Sequence, residues 1–182
     1  QSLLDDPGFD PARVRSLSRI AFGAAPMPPD LLERALGAWP EAEFFQAYGL
    51  TETAGAVCIN LPANHRAPAH ARGLLASVGR AGLGAEIRVV DERGVEVPRG
   101  SVGEIVVRGP MVTRGYWGQP EVTAQAMRDG WFLTGDGGRM DEQGYLFIAD
   151  RLKDMIISGG ENVYPAEVEA ALRCHAAVAD AA

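Results

Sequence analysis

The chain has 182 residues, 47% of them hydrophobic and 23% charged, with a formal net charge of −7. That length holds one ordinary domain, or one domain and the beginning of a second, and the composition excludes disorder as the default state. An acidic chain without a basic stripe excludes nucleic acid as the main partner. No apolar run approaches the roughly 20 residues that cross a bilayer, so no transmembrane segment is expected. The opening residues 1–14 carry neither the basic nor the apolar region of a secretory signal and read like mid-protein sequence. Cys58 and Cys174 lie far apart, outside any metal-ligand spacing. Such usage fits a reducing cytoplasm, with both thiols as small buried hydrophobes. His65, His70 and His175 also lack metal spacing and are expected at structural or surface positions.

The apolar run over 16–24 predicts a buried strand. Prolines and helically spaced apolar residues predict a helix over 29–38. Residues 43–48 read as a second strand, ended by Gly49 and followed by a turn carrying Thr51 and Glu52. Strand, helix, strand and turn make the end of an α/β layer. Beyond residue 72 the character changes: β-branched runs at 85–90 and 102–108 flank the turn 91–94. Runs at 131–140 and 145–149 flank the turn 141–144, and a helix over 120–128 interrupts the series. Short strands with glycine-rich turns predict a small antiparallel, barrel-like subdomain. From Asp150 onward a strand at 154–158, a Gly159-Gly160 turn and a helix at 165–174 follow. One strand and one helix bury no core of their own, so they read as the start of a small α+β domain. The expected fold is therefore mixed α/β, divided as 1–72, 73–150 and 151–182.

Three stretches carry groups suited to chemistry. In Gln46–Thr53, a turn at Gly49 would expose backbone amides to an anion, and Thr51 adds a hydroxyl. Glu52 adds a hard oxygen ligand suited to Mg²⁺, and Tyr48 a flat face for a base. A core tyrosine and a Thr/Glu pair at a helix start is the competing reading. In Trp131–Asp136, the carboxylate of Asp136 could accept from two vicinal hydroxyls, or simply stabilise a hairpin turn. Arg151 and Lys153 form a charged cluster that also reads as a solvated linker. The glycine turn at 158–162 lacks a following Lys-Ser or Lys-Thr and is no Walker loop, and no Gly-x-Ser-x-Gly elbow is present.

Taken in order, these stretches resemble the adenylate-forming superfamily of acyl-CoA synthetases, peptide-synthetase adenylation domains and luciferases. The resemblance rests on Phe22–Pro26, Tyr48–Glu52, Gly103–Pro110 with Gly115–Trp117, Trp131–Asp136 and Gly144–Glu167, and covers nearly the whole chain. It implies that Gly23, Ala24, Ala25 and Pro26 line the adenine and acyl pockets, that Tyr48 packs on adenine beside Gly49, and that Thr51 contacts the α-phosphate. It further implies that Glu52 holds Mg²⁺, that Asp136 and Arg151 bind the ribose hydroxyls, and that Lys153 is the hinge of a rotating small domain. The turn of Gly159, Gly160, Glu161 and Asn162 would then face the pantetheine of coenzyme A. The implied reaction activates a carboxylic acid with ATP as an acyl-adenylate and transfers the acyl group to the CoA thiol.

The superfamily's phosphate-loop lysine and its late catalytic lysine find no counterpart, because Lys153 is the only lysine. The chain by itself is therefore expected to be an inactive portion. Ser158–Pro165 looks more like fatty-acyl and aryl-CoA ligases than like amino-acid adenylation domains loading a carrier protein. A non-catalytic nucleotide-binding module is the reading from another class. The acid is not legible from these residues, and association into a homo-oligomer stays open.

Overall fold

The computed structural model describes residues 2–25, 27–66, 69–158, 161–173, 175, 177–178 and 181. After a short helix α1 (Ser2–Asp5), strand β1 (Arg19–Gly23), helix α2 (Pro29–Ala38) and strand β2 (Glu43–Leu50) form a β-α-β unit with β1 and β2 parallel. Pro29 opens α2, where its fixed φ suits the helix and its missing N–H costs nothing. Asp30 places negative charge in the first turn, which complements the helix dipole. Leu32 is buried with Ala42 and Phe44, and Ala35, Leu36 and Trp39 pack around them, the helical spacing that brings one face of α2 onto the sheet. Burying Leu32 and Phe44 contributes roughly 1.5–3 kcal/mol each.

Strand β2 continues through Gly49 to Leu50, two residues beyond its expected end, because β3 (Gly55–Asn60) returns antiparallel and pairs Gly49 with Ala56. A β-carbon on Gly49 would sit 1.9 Å from the carbonyl oxygen of Gly55. The glycine therefore permits close strand approach and does not break the strand. β4 (Arg80–Ala81) completes the sheet in the order β1-β2-β3-β4.

A second, antiparallel sheet contains β5 (Glu86–Val90), β6 (Val102–Arg108), β7 (Met127–Arg128), β8 (Trp131–Met140) and β9 (Leu146–Arg151). Helix α3 (Pro120–Ala126) stops short of the expected residue 128, because 127–128 pair as β7 with the start of β8. The two sheets share one core: Val57, Cys58 and Val78 join Val89, Ile105, Val107, Met140 and Leu146 in a single buried cluster. A bridge between Gly79 and Leu146 ties the sheets by backbone as well. Beyond β9, the hairpin β10 (Ile156–Ser158) and β11 (Glu161–Val163) precedes helix α4 (Pro165–Arg173). No helix among the described residues is long and apolar enough to cross a membrane.

Candidate functional site

The carboxyl ends of β1 and β2 lie side by side, with Gly23 opposite Ala47. Ligands of open α/β sheets gather beyond such strand ends. Ala24 follows β1 at φ 67°, a left-handed backbone that costs a residue with a β-carbon about 1–2 kcal/mol. Ala25 is exposed, and Pro26 lies outside the described residues.

One residue past Ala47, the Tyr48 hydroxyl donates to Asp136 Oδ2 at 2.7 Å. On the carboxylate's other side, Arg151 Nε lies 2.9 Å from Asp136 Oδ1. Asp136 is 7% exposed, while the Arg151 side chain is 53% exposed, so the pair sits at the boundary of the core. Burial, with the hydrogen bond to Asp136 next in weight, raises the Tyr48 phenol well above its ordinary value and keeps it a donor. A residue of the first sheet, 88 positions upstream, and a neighbour on the next strand thus meet on one carboxylate. Among the described residues each oxygen of Asp136 meets one protein donor, and a carboxylate oxygen retains capacity for another.

Local backbone geometry explains why Asp136 stands there. Where β6 pairs with β8, Glu104 faces Gly137 and Val106 faces Leu133, so Ile105 is opposed by the bulged run Thr134–Asp136. Gly135 turns that bulge at φ 71°, and its N–H donates to Glu104 Oε1 at 3.1 Å. Thr134 Oγ1 donates to the Ile105 carbonyl at 2.7 Å and accepts the Asp136 N–H at 3.0 Å. Bulges of this kind re-aim side chains beside functional sites. Asp136 and Arg151 are then direct cross-strand partners between β8 and β9.

A second carboxylate lies just past β2. Thr51, Glu52 and Thr53 form one 3₁₀ turn, closed by Ala54 at φ 52°. The Leu50 N–H donates to Thr53 Oγ1 at 2.9 Å, so this amide is engaged within the turn. The expected exposed amides at Gly49 are corrected accordingly, since Gly49 pairs within the sheet. Thr51 is exposed and Glu52 half-buried. Tyr116 donates its hydroxyl to Glu52 Oε1 at 2.8 Å, and this bond, ahead of burial, raises the Tyr116 phenol above its ordinary value. The Glu52 carbonyl accepts from Thr113 N at 2.7 Å, so the 113–116 loop holds Glu52 at two points.

Among the described residues no group of three or more His, Cys, Asp or Glu side chains could hold a metal. A single oriented carboxylate fits Mg²⁺ nonetheless, because that ion keeps waters and substrate phosphates and rarely uses an all-protein cage.

Lys153 is exposed in the turn after β9, next to Leu152, whose N–H donates to the Gly135 carbonyl at 2.9 Å. Gly159 and Gly160 lie outside the described residues. The backbones of Glu161 and Asn162 pair with Ser158 and Ile157. His65 is buried at 2% exposure, its Nδ1 3.1 Å from the Leu61 carbonyl oxygen, a structural position. His175 is exposed, Cys58 is fully buried, and Cys174 lies outside the described residues. The supporting roles of Tyr116, Thr134 and Glu104 were not legible in sequence. A threonine two residues ahead of Asp136 was the available signal for Thr134.

An aromatic ring, a buried carboxylate with spare lone pairs and a separately oriented carboxylate can meet a base, vicinal hydroxyls and a cation. Residues 1–117 match the AMP-binding enzyme family. A feruloyl-CoA synthase of Amycolatopsis sp is 44% identical over 169 residues, covering 93% of this chain and 33% of that protein. The amide bond synthetase McbA from Marinactinospora thermotolerans matches with TM-score 0.86 at 39% identity, covering 100% of this chain and 35% of that one. The o-succinylbenzoate coenzyme A synthetase of Bacillus subtilis, solved with ATP and magnesium ion, matches with TM-score 0.82 at 36% identity, over 98% of this chain and 35% of that one. The chain belongs to the AMP-binding enzymes, the adenylate-forming acyl-CoA ligase superfamily, and spans about a third of the length of these relatives.

Proposed function

We propose that this chain supplies part of the nucleotide site of an AMP-forming acid–thiol ligase, an acyl-CoA synthetase. The observation that carries the reading is the convergence of Tyr48, Asp136 and Arg151 beside the strand ends that bear Gly23 and Ala24. In this reading Gly23, Ala24, Ala25 and Pro26 border the adenine and acyl groups, and Tyr48 packs on adenine next to Gly49. Asp136 accepts from the ribose hydroxyls with Arg151 beside it, and Thr51 donates to the α-phosphate. Glu52 would hold Mg²⁺, which would supply charge neutralisation at the phosphates. The protein's own share is positioning, which can supply a large part of the rate in phosphoryl-type chemistry.

The reaction runs in two displacements. The acid's carboxylate oxygen bonds to the α-phosphorus of ATP as the bond to pyrophosphate breaks. The sulfur of CoA then bonds to the acyl carbon, AMP leaves with the former anhydride oxygen, and the thiol proton goes to solvent. Residues 1–72 and 73–150 would belong to the large domain and 151–182 to the start of the small one. Lys153 would be the hinge, and the turn Gly159, Gly160, Glu161 and Asn162 would approach pantetheine. The Ser158–Pro165 resemblance supports CoA as acceptor, while fatty, aryl and alicyclic acids all remain candidate substrates. Because Lys153 is the only lysine, the 182-residue chain alone should not complete either half-reaction.

A second acceptor is favoured by one finding: a matching structure, McbA, is an amide bond synthetase. An amine would then take the acyl group, a carrier-protein thiol being the other acceptor that the sequence leaves open. The deciding experiment incubates the full-length protein with ATP, Mg²⁺, a panel of carboxylic acids and either CoA, carrier protein or amine. Pyrophosphate release with acyl-CoA formation supports the acid–thiol reading. Pyrophosphate release with transfer only to another acceptor supports the second. Acyl-adenylate formation by the isolated chain would refute its inactivity.

A further inference from the structure

The proposed function assigns no role to the loop before α3, yet this loop controls how Glu52 is presented. Thr113 N–H donates to the Glu52 carbonyl at 2.7 Å, and the Tyr116 hydroxyl donates to Glu52 Oε1 at 2.8 Å. Tyr116 is itself fixed from α3: its N–H donates to Thr123 Oγ1 at 2.9 Å, and Thr123 Oγ1 donates to the Gln119 carbonyl at 2.8 Å. Within the loop, Gly115 N–H donates to Thr113 Oγ1 at 3.2 Å. A hydrogen-bonded path therefore runs from α3 through Thr123 and Tyr116 to one oxygen of Glu52. Next to Tyr116, Trp117 is 99% exposed, so the loop is not held by burying its bulkiest side chain.

We infer that Tyr116 is a positioning residue, which fixes the Glu52 carboxylate so that its second oxygen is presented to the divalent cation of the nucleotide. The inference rests on the assignment of Glu52 as the cation's protein ligand. A glutamate in the middle of a single turn has three side-chain torsions to settle, and one hydroxyl donor on Oε1 restricts them before any cation arrives. Groups that orient a ligating carboxylate are typically worth 10- to 100-fold in metal affinity. With Glu52 as this chain's proposed ligand to the ion, loss of its orientation falls directly on metal affinity.

The test uses the full-length protein with Mn²⁺ as a paramagnetic stand-in for Mg²⁺. Binding of Mn²⁺ in the presence of ATP is followed by electron paramagnetic resonance for wild type, Tyr116→Phe, Thr123→Val, Trp117→Ala and Glu52→Gln. Tyr116→Phe is expected to weaken Mn²⁺ binding about tenfold and to raise the apparent KM for Mg²⁺ by a similar factor. At saturating Mg²⁺ its kcat should stay within about twofold of wild type, a split that general destabilisation does not produce. Thr123→Val should shift the metal dependence the same way by a smaller factor, and gives a second route should Tyr116→Phe fail to fold. Trp117→Ala should bind as wild type. Wild-type Mn²⁺ affinity in both Tyr116→Phe and Thr123→Val, with weakened binding in Glu52→Gln, overturns the role of Tyr116 and leaves that of Glu52. Wild-type affinity in Glu52→Gln overturns both.

Discussion

Tyr48 and Cys58 face each other across β2 and β3, and both protons are held more tightly in the fold than outside it. Burial pushes the Cys58 thiol from 9.0 up to about 12. Between those values the native state keeps a proton that the unfolded chain has lost. Stability is thus fully present below pH 9 and declines as pH rises toward 12, by up to about 1.4 kcal/mol per pH unit for one proton. Tyr48 acts with the same sign above its ordinary 10.0. Urea denaturation at a series of alkaline pH values should show this slope, and Cys58→Ala should flatten its lower part. At the neighbouring contact, Tyr48→Phe removes the donor to Asp136 Oδ2 while Arg151 remains. The expected loss is about 1–2 kcal/mol of stability, less than for a carboxylate stripped of every partner. The residue types of this site were legible in sequence, because Tyr48, Glu52 and Asp136 sit in short distinctive stretches. Their mutual contacts were not, since Tyr48 and Asp136 are 88 positions apart and only the joining of the two sheets brings them together.

At the scale of elements, the strands that carry the site are irregular where it lies. β2 and β3 shift register at Tyr48/Gly49, and β6 and β8 shift between Glu104 and Val106. Periodicity reveals a strand but not a bulge, so the expected 131–140 strand was right in extent while the bulge that re-aims Asp136 was invisible. The same limit explains Gly49: a glycine after an aromatic run reads as a strand end, and only the return of β3 shows it paired. β3 itself is too mixed in pattern to announce a strand, and its burial comes from the second sheet. Gly49→Ala would drive a β-carbon to within 1.9 Å of the Gly55 carbonyl oxygen. Backbone must move to relieve this, so a loss above about 3 kcal/mol is expected. Thermal denaturation followed by circular dichroism measures it.

Across the whole molecule, the shared cluster of Val57, Cys58, Val78, Ile105, Val107 and Leu146 makes the two sheets one cooperative unit. Trp39 packs against the parallel pair and Trp131 lies on β8, so each reports on a different sheet. Fluorescence of Trp39→Phe and Trp131→Phe variants, each also carrying Trp117→Phe, should give coincident urea transitions when compared with circular dichroism. Separate midpoints would show that the sheets unfold independently. The mixed α/β layering was legible because its β-α-β start and its antiparallel strand pairs follow period and turn chemistry. The central claim concerns what that joined architecture binds. Calorimetric titration of the chain with a non-hydrolysable acyl-adenylate analogue, on wild type and on Asp136→Ala, tests it most directly. Binding by wild type that weakens at least tenfold in Asp136→Ala is the predicted result, with about 1.4 kcal/mol lost per factor of ten. Equal binding by both folded proteins would contradict the placing of the ribose on Asp136.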